Sequence, residues 1–332
     1  MAVLIDPPMW PAHGTLWSHL VSDADYAEVH AFAKRLPVPR RSFDLDHYDV
    51  PASLHARAIA LGAEPVGAKE LARRLRRSGL RVRQIDRGLM TPVRRREYLQ
   101  GEWEALGRAP GIAGAETTAG AGAGAGAGAD AGAQWRALGD ELLARWNEPH
   151  RRYHDERHLE DVLLSLDQLA VRGETLQPST LLAAWFHDAV YTGRAGPGAG
   201  GETDEAASAA LAAEALARAG LDAGLIAEVG AMIADTEPAR AVERPSTALA
   251  QLLDADLAIF AAPPHRYDEY AAAVREEYAH VPDAVFAQAR ADILSGYLGR
   301  PRVYRTGTAR EAWEARARQN LAREIAALRL RF

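Results

Sequence analysis

From Ala119 to Ala129 the chain alternates alanine with glycine, and after Asp130 the same two residues continue to Ala133. A stretch with so little side-chain surface cannot bury enough apolar area to offset the entropy of ordering it. It reads as a flexible linker, and it divides the 332 residues into two parts that must each build their own core. The expected organisation is two domains. A small α/β domain covers 1–85, a basic tether and the Gly/Ala-rich linker cover 86–133, and an all-α domain covers 134–332.

Composition narrows the chemistry. Apolar residues make up 48% and charged residues 25%, the balance of a soluble globular protein. There is no cysteine, which excludes disulfides, thiolate zinc sites, iron–sulfur clusters and a cysteine nucleophile. Any metal must be held by histidine and carboxylates, which suits Mn, Fe, Co, Mg or Zn. A net charge of −6 argues against nucleic acid as the main partner. The first residues lack the basic-then-apolar pattern of a secretory signal, and no run of 18 apolar residues is present, so a cytoplasmic protein without a membrane span is expected.

Before the linker, Val3-Leu4-Ile5 reads as a strand stopped by Asp6-Pro7-Pro8. Asp25 can cap a helix whose face carries Tyr26, Val29, Phe32, Ala33 and Leu36, with Pro37 and Pro39 beyond it. Pro51 opens a second helix ending at Gly62, and residues 67–78 form a third, basic one. After the linker the period is helical. Leu159, Val162, Leu163, Leu166 and Leu169 form one stripe; Leu225, Ile226, Val229, Met232 and Ile233 form another; Trp313, Leu321, Ile325 and Leu328 mark a long last helix.

Three segments break this apolar pattern with His and Asp. They are Tyr153-His154-Asp155-Glu156-Arg157-His158, Ala184-Trp185-Phe186-His187-Asp188 and Leu253-Asp254-Ala255-Asp256-Leu257. Each lies within a predicted apolar helix, where a charged Asp is costly unless it is paired or bound to metal. Singly, such residues are ordinary core histidines, caps or ion-pair partners. Together, three helices that bring His and Asp to one core are how helical bundles build metal sites. Asp254 and Asp256 lie about 200° apart around a helix, so they do not face one ion together. A zinc clamp from His154 and His158 alone is the other arrangement, but no HExxH motif supports it.

His158 with Val162, then His187-Asp188, then Ala255-Asp256, resembles the H…HD…D signature of the HD superfamily. The runs Asn147-Glu148-Pro149-His150, Tyr153-His154, Glu277-Tyr278, Ala315-Arg316 and Asn320-Leu321 extend the likeness to a bacterial subgroup described as predicted metal-dependent HD phosphohydrolases. The resemblance spans nearly all of 134–330. It implies one divalent ion held by His158, His187, Asp188 and Asp256, and hydrolysis of a phosphoester, on a nucleotide-like or other small phosphorylated substrate, by a metal-activated water. Asp188 would also orient that water. The register of the subgroup favours Asp256 over Asp254, and leaves Asp254 to support the site or the fold. His154 would support the ligands or contact substrate, and Arg157, Arg275, Arg290, Arg302 and Arg316 are the cations available for phosphate. Acidic residues that follow the doublet in relatives correspond to Asp204 and Glu205, which serve either as a base or as caps of the helix from Ala206. Relatives also carry a His shortly after the position of Thr236, where this chain has Glu237-Pro238-Ala239-Arg240; this favours one ion over two. A module that binds a nucleotide signal without turnover is the alternative. A nucleic-acid-processing protein gripping through the basic stretch 73–96 is a third.

The N-terminal part is rich in histidine: His19, His30 and His47, the last in His47-Tyr48-Asp49. The segments Trp17-Ser18-His19-Leu20, His30-Ala31-Phe32-Ala33 and His47-Tyr48-Asp49 resemble a small bacterial domain family of unassigned function, over about residues 2–83. A polar site on Asp6, His19, His47, Asp49 and Arg57 is expected here; ordinary surface and capping roles are the other reading.

Overall fold

The computed structural model describes residues 1–12, 14–112, 125–193, 203–237 and 242–330. They form two compact units, Met1–Glu97 with Ala170–Gly173, and Tyr98–Leu169 with Glu174–Phe332.

The first unit is α/β. Its elements are β1 (Val3–Ile5), β2 (Trp10–Ala12), β3 (Thr15–Ser22), α1 (Tyr26–Arg35), β4 (Tyr48–Pro51), α2 (Ala52–Ala60), β5 (Glu64–Pro65) and α3 (Ala68–Arg77). β3 pairs antiparallel with β1, β2 and β4, and β5 adds parallel to β1. Alternate residues serve opposite faces of the sheet. Val3, Ile5 and Leu20 pack with Val29, Phe32 and Leu36, while Leu4 and Val21 pack with Leu71 and Leu75 of α3. The Asp25 side chain accepts the Glu28 N–H and so caps α1. Gly62 ends α2 at φ +105°, a conformation that side chains resist.

The second unit is built from helices. The segment α4 (Arg87–Gly107) bridges the two units along the chain. It is followed by α5 (Ala125–Trp146), α6 (Glu156–Val171), α7 (Pro178–Phe186), α8 (Asp204–Arg218), α9 (Ala223–Ala234), α10 (Thr247–Asp256), α11 (Pro264–Glu277), α12 (Asp283–Gly299) and α13 (Gly307–Arg329). The whole predicted stripe of α6 is buried. One apolar cluster joins α4 to α10, and a second gathers α11, α12 and α13. Among the described residues no helix is long and apolar enough to cross a membrane.

The boundaries differ from the sequence reading. Residues 86–133 contain more than a tether, because Tyr98, Leu99, Trp103 and Leu106 are core residues of the helical unit. The part of the Ala/Gly tract from Ala125 onward opens α5, as the high helix propensity of alanine allows; the part of the expected linker that falls in 113–124 lies outside the described residues. The Trp103 and Trp135 rings stack at 4.2 Å and 5°. Each indole N–H donates to the other's backbone carbonyl, at 2.7 and 2.9 Å. The stack needs glycine beneath it: a methyl on Gly139 would sit 2.3 Å from the Trp103 ring. Gly139→Ala is therefore expected to destabilise the helical unit by about 1–3 kcal/mol, read as a lower urea midpoint, although alanine is the better helix former.

Candidate metal centre

Helix ends, rather than helix interiors, deliver the predicted ligands. His158 lies in the first turn of α6, His187 is the residue that closes α7, Asp188 follows it in a turn, and Asp256 ends α10. The carbonyl ends of α7 and α10 carry partial negative charge, which favours a cation. Both imidazoles are almost fully buried, under the Trp146 ring at 6.0 Å from His158 and 5.5 Å from His187.

The four side chains converge. His158 Nε2 lies 3.2 Å from His187 Nε2, 3.2 Å from Asp256 Oδ1 and 3.5 Å from Asp188 Oδ2. His187 Nε2 lies 3.2 Å from Asp188 Oδ2 and 3.7 Å from Asp256 Oδ1. Neighbouring ligands at about 2.1 Å from one ion sit about 3.0 Å apart in octahedral geometry and about 3.4 Å apart in tetrahedral geometry. The observed spacings are of that size. His187 Nδ1–H donates to the Ala184 carbonyl at 2.8 Å, which turns the Nε2 lone pair toward the cluster. His158 Nδ1 is buried without a hydrogen-bond partner. This donor set fits a divalent ion.

With only protons available, the cluster balances its own charge. Burial opposes the imidazolium of His158, but the hydrogen bonds it donates to Asp188 and Asp256 hold its pKa up, at about 9. His187 is raised in the same way, against burial, chiefly by the charge of Asp188. Burial works against the ionised forms of Asp188 and Asp256 too, yet the two histidines hold both carboxyls below the usual range.

A buried glutamate supports the approach to α6. Glu277 Oε1 accepts the backbone N–H groups of Arg152, Tyr153 and His154 at 2.8, 2.8 and 2.9 Å. Its Oε2 accepts from His154 Nδ1 at 2.7 Å and from the Tyr191 hydroxyl at 3.0 Å. His154 stacks on Tyr191 at 4.2 Å, so it is held one helical turn before His158. Buried Arg151 ties the two ligand segments together, donating to the carbonyls of His154 and Asp188 at 2.8 Å each and of Ala189 at 3.2 Å. Nothing in the local sequence marks Arg151, and Glu277 stands out only through the resemblance of Glu277-Tyr278.

The other predicted residues sort themselves by contact. Asp254 turns away from the cluster and accepts the backbone N–H groups of Arg305 and Thr306 at 2.7 Å each, anchoring the start of α13. Asp204 accepts from the Thr192 backbone and hydroxyl, at 2.8 and 2.9 Å, and opens α8. Glu205 is half-buried; burial first, then the charge of Asp188, push its pKa up. The five arginines predicted for phosphate are engaged elsewhere or lie at the surface: Arg275 donates to Asp283 and Arg302 is exposed. Arg157 pairs at the surface with Glu269; Arg290 donates to Glu324 and the Tyr270 hydroxyl inside the bundle; Arg316 is exposed on α13. A different arginine, Arg305, is partly buried, and burial pushes its pKa down against the charge of Asp254. Its Nη1 is buried and has no hydrogen-bond partner. Arg305 lines a cleft of about 950 Å³ with Arg300, Arg302 and Arg310.

In the first unit, Asp6, His19, His47 and Asp49 also come together. His19 and Asp49 face each other across β3 and β4, and the His19 and His47 rings lie 4.9 Å apart. Arg57 is exposed on α2. His30 is partly buried beside the core: it contacts the Tyr48 hydroxyl at 3.0 Å and the Phe43 ring at 4.5 Å. Burial, then Arg40 and Arg94, push its pKa down to about 3.

Neither the curated proteins nor the solved structures contain a match to this chain. Residues 3–78 match the model of a family described as "Protein of unknown function (DUF4031)". The small N-terminal domain is thus similar to a family of unassigned function, and the match says nothing about the helical unit.

Proposed function

We propose that the helical unit is a metal-dependent phosphohydrolase of the HD type, acting on a small phosphorylated substrate such as a nucleotide. The observation that carries this reading is the approach of two imidazoles to each other and to two carboxylates, from three helix ends, at His–His and His–Asp spacings of 3.2 to 3.7 Å. When bound there, a divalent ion supplies Lewis acidity toward a phosphoryl oxygen and acidifies water. The chain's own groups supply the rest. Asp188 and Asp256 place negative charge where the ion is held. Glu205, whose carboxyl keeps its proton to a higher pH than usual, is suited to hold and return a proton beside Asp188. Arg305 supplies a cation whose donor is left unpaired inside the protein, and such a donor gains most from a phosphate oxygen.

The test is phosphate release from a panel of nucleotides and phosphomonoesters with Mn, Co, Mg or Zn. Release that depends on an added ion supports the reading. Failure to release phosphate from any member with any ion counts against it, and thermal stabilisation by a nucleotide without product points to a binding module. On the substrate that is cleaved, Arg305→Ala is expected to raise KM by about tenfold or more, the worth of one charge-assisted hydrogen bond. Metal content should stay the same in that variant. An unchanged KM would remove Arg305 from substrate binding.

A further inference from the structure

The first unit carries a second constellation that the phosphohydrolase reading does not use. β1 ends at Ile5, so Asp6 emerges beside β3. Its Oδ1 accepts the His19 backbone N–H at 2.6 Å and its Oδ2 accepts His19 Nδ1–H at 2.9 Å. A matching pair lies next to it: Asp46 Oδ1 accepts His47 Nδ1–H at 2.6 Å. Asp46 is itself fixed, because its Oδ2 accepts the Val82 N–H at 2.6 Å. Both carboxylates are almost completely buried. Each imidazole is therefore oriented through one nitrogen by a buried carboxylate, which leaves its other nitrogen to act as a ligand.

Asp49 completes the set. The strand alternation of His47-Tyr48-Asp49 sends Tyr48 into the core and puts His47 and Asp49 on the same face. His47 Nε2 lies 3.6 Å from Asp49 Oδ1, and one ligand atom from each of His19, His47 and Asp49 lies within 4.8 Å of the others. Asp49 has 46% of its side chain exposed, which leaves it room to close on an ion. Among the described residues, the only other group of this kind is the one in the helical unit.

Capping and surface ion pairing do not explain this arrangement. An imidazole that needs only a satisfied donor is content with one partner. Here two adjacent histidines are each backed by their own buried aspartate, and a third carboxylate faces one of them. Histidine ligands of metal ions are typically held this way, with the outer nitrogen donating to a carboxylate. Three carboxylates against two imidazoles, with Arg81 pairing Asp46 at 3.3 Å, also favour an added cation. We propose that the N-terminal domain holds a divalent transition-metal ion, of the zinc class, between His19, His47 and Asp49. Three protein ligands leave a position open, as in catalytic rather than structural zinc sites. The half-exposed Trp10 ring lies 5.2 Å from His19.

The test uses the full chain loaded with Zn(II) or Co(II), freed of excess ion, and measured by elemental analysis and by Co(II) visible absorption. Asp49→Asn and His47→Ala are each expected to carry about one ion less per chain than wild type. Asp49→Asn is the safer of the two for folding, because Asp49 is exposed, and circular dichroism checks both. Asp188→Ala should keep the ion at this site, so loss here is distinguishable from loss in the helical unit. Asp6→Asn should weaken binding by about 10- to 100-fold through misorientation of His19. Metal content and Co(II) spectra identical to wild type in folded Asp49→Asn and His47→Ala would overturn the proposal.

Discussion

His187→Ala is expected to lose the ion of the helical unit and to cut phosphate release by about a thousandfold or more, equivalent to about 4 kcal/mol of barrier. The imidazole stands 3.2 Å from both His158 Nε2 and Asp188 Oδ2, so its removal strips one ligand and frees the others to pair among themselves. The same charges give a pH signature in the metal-free protein. The pKa of His158 is raised in the folded state, from 6.5 to about 9. Stability from its protonation is thus fully present below about pH 6.5 and is lost as the pH rises through about 9. A divalent ion must displace that proton, so metal binding should release protons and weaken as the pH falls. Proton release measured in weakly buffered solution checks this: wild type should acidify more on metal addition than His187→Ala does.

Glu277→Ala should produce the largest loss of stability among the substitutions considered. Its side chain is 1% exposed and takes hydrogen bonds from three backbone amides, His154 and Tyr191. Alanine would leave several buried donors without partners, at about 1–3 kcal/mol each, and a net loss of about 3–5 kcal/mol is expected. Burial opposes ionisation of Glu277, but His154 and the backbone donors lower its pKa from 4.5 to about 2. The lowered pKa makes its contribution complete above about pH 4.5 and progressively lost as the pH falls toward 2. The shift corresponds to about 3 kcal/mol of pH-dependent stability. Urea titrations at pH 7 and pH 3 separate the two cases: the gap between wild type and Glu277→Ala should narrow at the lower pH. A variant as stable as wild type at pH 7 would show that Glu277 does not hold the approach to α6.

Local pattern made much of this fold legible. The α6 stripe, the Asp25 cap and the Gly62 stop follow from spacing and from the chemistry of helix ends, which are properties of adjacent residues. The three segments that carry the candidate ligands were visible because charge in an apolar run needs a partner, while the choice of the four residues came from the resemblance; His158 and His187 lie close to each other, to Asp188 and to Asp256. Long-range pairing was not visible. Glu277 meets His154 across more than a hundred residues, and no periodicity signals that contact. Arg151 looked like any basic residue in a turn, although its guanidinium is completely buried. β3 was missed because the strict alternation of a half-exposed strand fails there: Leu20, Val21 and Ser22 are all buried, since both sheet faces are covered. The basic run in α4 concealed the apolar residues Tyr98, Leu99, Trp103 and Leu106, which belong to the helical core. The ligands were expected mid-helix but lie at helix ends, where the chain can turn a side chain inward without disturbing the hydrogen-bond ladder.

The most direct test of the central claim is the metal content of wild type beside Asp188→Ala, each equilibrated with Mn(II) or Zn(II), freed of excess ion and checked for folding by circular dichroism. The variant is expected to hold about one ion less per chain and to release no phosphate from the substrate that wild type cleaves. Equal metal content in two folded proteins would contradict it, because His158, His187, Asp188 and Asp256 would then not be holding an ion.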